Sequence, residues 1–190
     1  MFNDLNPKQG SILIAEPFML DDNFERSVLL LCQHDNELGS FAVILNQKSQ
    51  SKISIHIDEF TEIKFPIFIG GPVQTEDIFF IHRVGHLISG GVPLYEDIYF
   101  GGSFEELTYL IKDGRLESGA IKFFKGYAGW QENQLMQELD ENSWAVHNRY
   151  PSDLPFVDDG ENLWKRALID LGPKYAHVAN FPKSSDFHQN

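Results

Sequence analysis

Cysteine is nearly missing from this chain. The single thiol, Cys32, excludes an internal disulfide and any paired-cysteine metal motif. Basic residues are also scarce. Fifteen Lys and Arg stand against 28 Asp and Glu, a net charge of −13. A duplex-DNA reader neutralises phosphates with clustered Lys and Arg. Here the basic residues are scattered, and the nearest approach to a cluster is Lys165-Arg166. Direct nucleic-acid binding is therefore not expected, and neither is docking on an anionic membrane surface. No apolar run approaches the roughly 20 residues of a membrane span. Met1-Phe2-Asn3-Asp4-Leu5 lacks the basic-then-apolar layout of a secretory leader, so a cytoplasmic location is expected. Catalytic signatures are missing as well. The chain has no Gly-Lys-Ser/Thr phosphate loop, no H-E-x-x-H and no Gly-x-Ser-x-Gly elbow.

What is present is a folded domain rich in phenylalanine, with 16 copies. A length of 190 residues suits one domain, here read as residues 10–180 between a flexible N-terminus, 1–9, and a flexible tail, 181–190. Ile12-Leu13-Ile14-Ala15 and Val28-Leu29-Leu30-Leu31-Cys32 are apolar runs read as buried strands. The second pairs with residues 40–46 around the turn Asp35-Asn36-Glu37-Leu38-Gly39. Residues 47–65 fit a short strand or a helical turn. Pro66-Ile67-Phe68-Ile69, Ile78-Phe79-Phe80-Ile81-His82 and Ile98-Tyr99-Phe100 read as further strands, with 85–97 as loop. Ser103-Phe104-Glu105-Glu106 is a capping box opening a helix that Gly114 closes. Phe104, Leu107, Leu110 and Ile111 fall on its one apolar face. Leu163, Trp164, Ala167, Leu168 and Leu171 mark another amphipathic helix, stopped by Gly172-Pro173. Strands with about three helices weighted to the second half make an α+β fold, not an alternating one.

The segment Gly126-Tyr127-Ala128-Gly129-Trp130 reads as a tight turn between a strand at 119–124 and a helix at 130–139. Such a turn could offer amides to an anion at the helix start, although Glu132 would occupy the first helical turn and no lysine is present. The competing reading is a purely structural turn with Trp130 in the core. Cys32 and His34, two apart on a strand, would share a face, but the apolar run favours a buried thiol. His82-x3-His86 sits at a strand end and no metal site is expected. Ser27 with His34 or His82 could be imagined as a triad, without an elbow to support it. Arg26, Asn46, Gly70, Gly71 and His82 stand near strand ends, while Gly126, Tyr127 and Trp130 follow another. If those ends converge they form a groove with amides, an arginine and an aromatic wall; Ser27, His34 and Gln134 join this ligand-binding set.

Several blocks in order carry a family resemblance. They are Gly10 to Ala15 with Pro17, Arg26-Ser27-Val28 through Cys32 and His34, Gly39 through Asn46, and Gly70-Gly71-Pro72-Val73. Phe80-Ile81-His82, Phe100-Gly101-Gly102, and Gly126-Tyr127-Ala128-Gly129-Trp130 with Gln134-Leu135 and Glu138 continue them. Over residues 10–172 the chain resembles the YqgE/AlgH family of bacterial proteins. Three departures stand out. Ala42 replaces a usual glycine, Gln47-Lys48 replaces a frequent Arg-Pro, and Asn133 replaces a small residue. The resemblance implies an α+β fold with a branched or barrel-like sheet and flanking helices. It implies no agreed activity or cofactor, and it carries a proposed role in transcriptional regulation of exopolysaccharide synthesis. The functional expectation is a non-enzymatic regulatory or protein-interaction domain. The alternative is a binder of a small anionic ligand, or an enzyme, using the groove near Arg26, His82 and Trp130. A DNA-binding regulator ranks third.

Overall fold

The computed structural model describes residues 6–117 and 119–182. Expectations for residues 1–5 and 183–190 lie outside that span. Residues 6–9 are held: Gln9 Nε2 donates to the Pro93 carbonyl at 2.8 Å and Asn148 Nδ2 to the Asn6 carbonyl at 3.1 Å.

Among the described residues there are ten strands and four α-helices: β1 (Ile12–Ala15), β2 (Val28–Asp35), β3 (Gly39–Ile44), β4 (Lys48–His56), β5 (Glu62–Ile69), β6 (Val73–His82), β7 (Val92–Tyr95), β8 (Ile98–Phe100), α1 (Phe104–Lys112), β9 (Ile121–Trp130), α2 (Gln134–Asp140), β10 (Trp144–His147), α3 (Glu161–Leu171) and α4 (Pro173–Ala176). The sheet runs β10-β1-β2-β3-β9-β6-β8-β7, with the β4–β5 hairpin joining at β9. All pairs are antiparallel except β5 with β9. The sheet is branched and open rather than closed. It curls until the chain before β1 meets β7, but β7 and β10 do not pair among the described residues.

β9 is the branch point. Along one edge it pairs with β6. Along the other it pairs first with β5 (Ile67 to Ile69 opposite Phe123 to Lys125) and then with β3 (Ala42 to Ser40 opposite Ala128 to Trp130). The chain leaving β5 must therefore cross β9 to return as β6. It crosses at Gly70-Gly71, directly against Gly126. A Cβ on Gly71 would lie 2.1 Å from the Tyr127 carbonyl carbon, and one on Gly126 would lie 2.5 Å from the Gly71 oxygen. Gly126 also has φ 68, a left-handed value that favours glycine. These glycines thus serve a chain crossing. The expected strand-turn-helix junction is corrected: Gly126 to Trp130 continue the strand, and the turn comes at 131–133.

Other elements follow their sequence signals to different degrees. The β2–β3 hairpin forms as expected, with a bulge between Leu31 and Gln33. Residues 47–65 resolve as the β4–β5 hairpin, and the expected loop at 85–97 contains β7. At α1 the Ser103 hydroxyl accepts from the Glu106 N–H, but the Glu106 carboxylate takes the Ser89 N–H instead of closing the box. Arg115 N and Gly114 N return to the Leu110 and Ile111 carbonyls, a Schellman closure at Gly114. Phe104 is not on the buried face; it is half exposed, its ring 6.2 Å from that of Phe80.

Three apolar layers hold the sheet. Trp164 and Leu168 of α3 pack with Ile12, Leu30, Val43 and Phe124. Leu135 and Leu139 of α2 pack with Leu13, Leu29, Ile44, Trp130 and Trp144 on the other face of the same strands. Leu107 and Ile111 of α1 pack with Phe80, Ile88 and Phe123. Each fully buried large side chain contributes about 1.5–3 kcal/mol, so no disulfide is needed.

Candidate functional site

The upper half of β9, Tyr127 to Trp130, ends in an open groove of about 550 Å³ between β3 and β6. Its wall is aromatic. The Tyr127 ring meets Phe41 at 5.7 Å and Phe79 at 5.9 Å, both edge-on, and Phe79 stacks on Phe100 at 6.1 Å. These rings are only half buried. Gly129 has no side chain and is exposed, leaving the floor flat beside Tyr127. Leu38, 82% exposed, and Val73 extend the apolar surface to the rim. Gln33, Ser40, Gln74 and Gln131 supply hydrogen-bonding groups.

Acidic residues adjoin the lining in sequence: Asp35 and Glu37 precede Leu38, Glu76 and Asp77 lie between Gln74 and Phe79, and Glu132 follows Gln131. The Asp35 carboxyl is held below its usual range by the Leu38 and Glu37 backbone N–H groups. The outer edge of β6 is paired with β8 only at Ile81 and His82, so Val73 to Phe79 have no strand on that side among the described residues.

The structure divides the expected ligand-binding set. Tyr127 and Trp130 line the groove, and His34 adjoins it through a 2.8 Å hydrogen bond with Ser40 Oγ. Gln134 lies behind it in α2. Gly70, Gly71 and Gly126 form the crossing below. Arg26 and His82 line no part of this groove. The Arg26 guanidinium belongs to the α3 layer, 4.8 Å above the Trp164 ring, where it donates to Glu161 (2.6 Å) and the Phe181 carbonyl (2.5 Å). Asn46 bridges backbone there, donating to the Arg26 carbonyl and accepting from Val28 N. That clamp holds Arg26 at φ 51, and the Ser27 hydroxyl donates to the Phe24 carbonyl. His82 belongs to the α1 layer. It is fully buried beside Tyr99, with Nε2 bonded to the Gly101 carbonyl and Nδ1 accepting from Val84 N. Burial lowers its pKa, and the Gly101 bond offsets this in part. Arg26, His82 and Trp130 therefore serve three different layers because neighbouring strand ends present different faces.

A family profile described as AlgH-like (DUF179) matches residues 12–176. A UPF0301 protein of Chlorobaculum tepidum is 40% identical over 176 residues, covering 93% of both chains. A UPF0301 protein of Parabacteroides distasonis is 42% identical over 183 residues, covering 95% of this chain and 91% of that one. The chain belongs to the AlgH-like family. Two solved structures share the fold. Protein DIP2367 from Corynebacterium diphtheriae matches with a TM-score of 0.75 at 22% identity, covering 94% of this chain and 95% of its own. The AlgH protein from Pseudomonas aeruginosa matches with a TM-score of 0.69 at 24% identity, covering 95% and 98%.

Departures from the AlgH-like pattern now have positions. Ala42 is fully buried in the α2 layer and its methyl does not enter the groove, which Phe41 faces instead. Asn133 stands at φ 57, a left-handed conformation that asparagine and glycine tolerate. The helix it precedes begins at Gln134, so Glu132 lies in the turn and not in the helix as expected. α2 runs for seven residues, from Gln134 to Asp140.

Two residues carry more than their sequence positions suggested. Glu138 accepts the indole N–H of Trp130 (2.8 Å) and of Trp144 (2.7 Å), and Gln134 Nε2 binds its other oxygen at 2.9 Å. The i,i+4 spacing of Gln134 and Glu138 was the available signal. Glu138→Gln is expected to lower stability by about 1–2 kcal/mol, because both indoles lose a charged acceptor and the new amide group, where it replaces Oε1, faces Gln134 Nε2, itself a donor. Urea unfolding followed by tryptophan emission checks this; an unchanged midpoint contradicts it. The other residue, Lys122, is a cation inside the apolar run Ile121 to Phe124 and is taken up below. Cys32 is an inert core thiol whose pKa burial pushes up. Among the described residues no helix is long and apolar enough to cross a membrane.

Proposed function

We propose that the chain is a non-enzymatic, cytoplasmic regulatory protein that acts by binding other proteins. Its groove takes an apolar anchor residue from a basic, extended peptide segment. The half-buried Phe41–Tyr127–Phe79 wall, open to solvent and with acidic residues next in sequence to its lining, carries this reading. Tyrosine and phenylalanine in a concave setting are the residue types on which interface energy concentrates. Five carboxylates flanking the lining residues in sequence attract lysine and arginine and disfavour acidic partners. The unpaired stretch of β6 gives an extended segment backbone groups to meet. The small-anion alternative gains nothing from Arg26, which Glu161 and the Phe181 carbonyl already engage.

Selection from a random peptide library on the immobilised protein tests the proposal. Selected peptides should carry Lys or Arg beside aromatic or branched apolar residues. Tyr127→Ala should weaken their binding by about tenfold or more, and raised salt should weaken it further. Selection of no peptide, or of peptides that bind Tyr127→Ala equally well, counts against it.

A further inference from the structure

Lys122 sits in the lower half of β9, away from the groove, and is 4% exposed. Its Nζ lies 4.0 Å over the Phe68 ring and donates to the Val157 carbonyl at 2.8 Å, its one hydrogen-bond acceptor among the described residues. The neighbouring carboxylate, Asp158, is engaged in an ion pair with Lys48. An ammonium group here is desolvated, and its nearest carboxylate is shared with Lys48. Burial lowers its pKa to about 7; Asp158 pulls it partly back and Lys48 adds to the lowering. Beside it is a cavity of about 140 Å³ walled by Phe65, Pro66, Phe68, Phe123 and Phe156. At about 30 Å³ per water this holds four or five heavy atoms. Phe156 also lines an open cleft of about 650 Å³, together with Val157 and Arg83. Phe156 thus stands between the cavity beside the amine and that open cleft, lining both. Arg83 in that cleft is paired with Asp97.

We propose that Lys122 is a nucleophilic amine that captures small uncharged aldehydes as an imine, with the Phe65–Phe68–Phe156 cavity holding the carbon chain. The free amine attacks the carbonyl carbon, a C–N bond forms, and the π electron pair moves to oxygen. The proton lost by nitrogen passes to that oxygen, and Asp158, which lines the same cavity, is placed to carry it. A second proton then reaches the hydroxyl as the nitrogen lone pair expels it as water, and the nitrogen gives up its remaining proton to leave the neutral imine. Aldehyde and amine give imine and water, with no oxidant or reductant. The apolar walls and the Lys48–Asp158 pairing select an uncharged chain over an anionic one. A desolvated lysine in an apolar pocket is the general form of an activated amine nucleophile.

Propanal with cyanoborohydride, which reduces the imine to a stable secondary amine, provides the test on the full chain. Tryptic peptides are quantified by mass spectrometry. At pH 7.5 an ordinary lysine is free amine about one part in a thousand. Lys122 should label at least tenfold faster than exposed Lys48 and Lys52. Its rate should level off above pH 7.5, while theirs keep rising with pH. Octanal, too long for the cavity, should label Lys122 more slowly than propanal does. Phe156→Ala should speed labelling, and Lys122→Arg should abolish it there alone. Label on Lys48 and Lys52 with Lys122 unmodified or no faster, measured in the wild-type chain, overturns the proposal.

Discussion

Lys122→Met is expected to stabilise the protein by about 3 kcal/mol at pH 6, with the gain shrinking as pH rises towards 10. The cause is the desolvation of a buried ammonium group, whose pKa falls from an ordinary 10.5 to about 7. Below pH 7 both folded and unfolded chains hold the proton, so the full penalty stands. Between pH 7 and 10.5 the unfolded chain holds a proton that the folded chain has released. Wild-type stability therefore gains up to about 1.4 kcal/mol per pH unit across that window. Methionine fills a similar volume without the charge. The orphaned Val157 carbonyl gives back about 1 kcal/mol. Urea unfolding of both proteins at pH 6, 7.5 and 9 measures the difference, and other titrating groups cancel in it. A methionine variant that is less stable than wild type, or a difference independent of pH, contradicts this account.

Gly71→Ala is expected to remove about 4 kcal/mol or more, enough to unfold a domain of ordinary stability. Its Cβ would lie 2.1 Å from the Tyr127 carbonyl carbon and 2.3 Å from Ala128 N. Both atoms are backbone and cannot turn aside. The crossing must open, and it carries the hydrogen bonds Gly70 N to Lys125 O and Ile44 N to Gly70 O, each 2.8 Å. Gly114→Ala is the control. It has φ 63 but nothing within 4 Å of an added Cβ, so only the left-handed strain of about 1–2 kcal/mol applies. Circular dichroism and urea unfolding separate the two. A Gly71→Ala protein as stable as Gly114→Ala contradicts the crossing.

How legible these features were depends on how local their causes are. Val28 to Leu31 announces a buried strand by composition alone. Ser103 and Gly114 bracket α1 through hydrogen bonds within a few residues. The Gly126-to-Trp130 stretch misleads because two glycines signal a turn, whereas one of them answers to a chain segment 55 residues earlier. β4 misleads for another reason. Most of its residues are exposed and polar, and Ile53 and Ile55 alone keep the alternation. The site was legible only in part. Strand ends could be located, but not the layer each side chain enters. Arg26, His82 and Trp130 look alike as strand-end residues, yet Arg26 packs on Trp164 of α3, His82 lies beside Phe80 and Tyr99, and Trp130 packs with α2. Phe41 and Phe79, which wall the groove with Tyr127, were indistinguishable from core phenylalanines until β3 and β6 were set on either side of β9.

Amide chemical-shift mapping with a library-selected basic peptide tests the functional account most directly. The expected shifts fall on Ser40, Phe41, Gln74, Phe79, Tyr127 and Gly129, and vanish in Tyr127→Ala. Shifts concentrated instead around Arg83 and Arg115, or around Arg26 and Glu161, would show that the groove beside Tyr127 is not where this chain binds its partners.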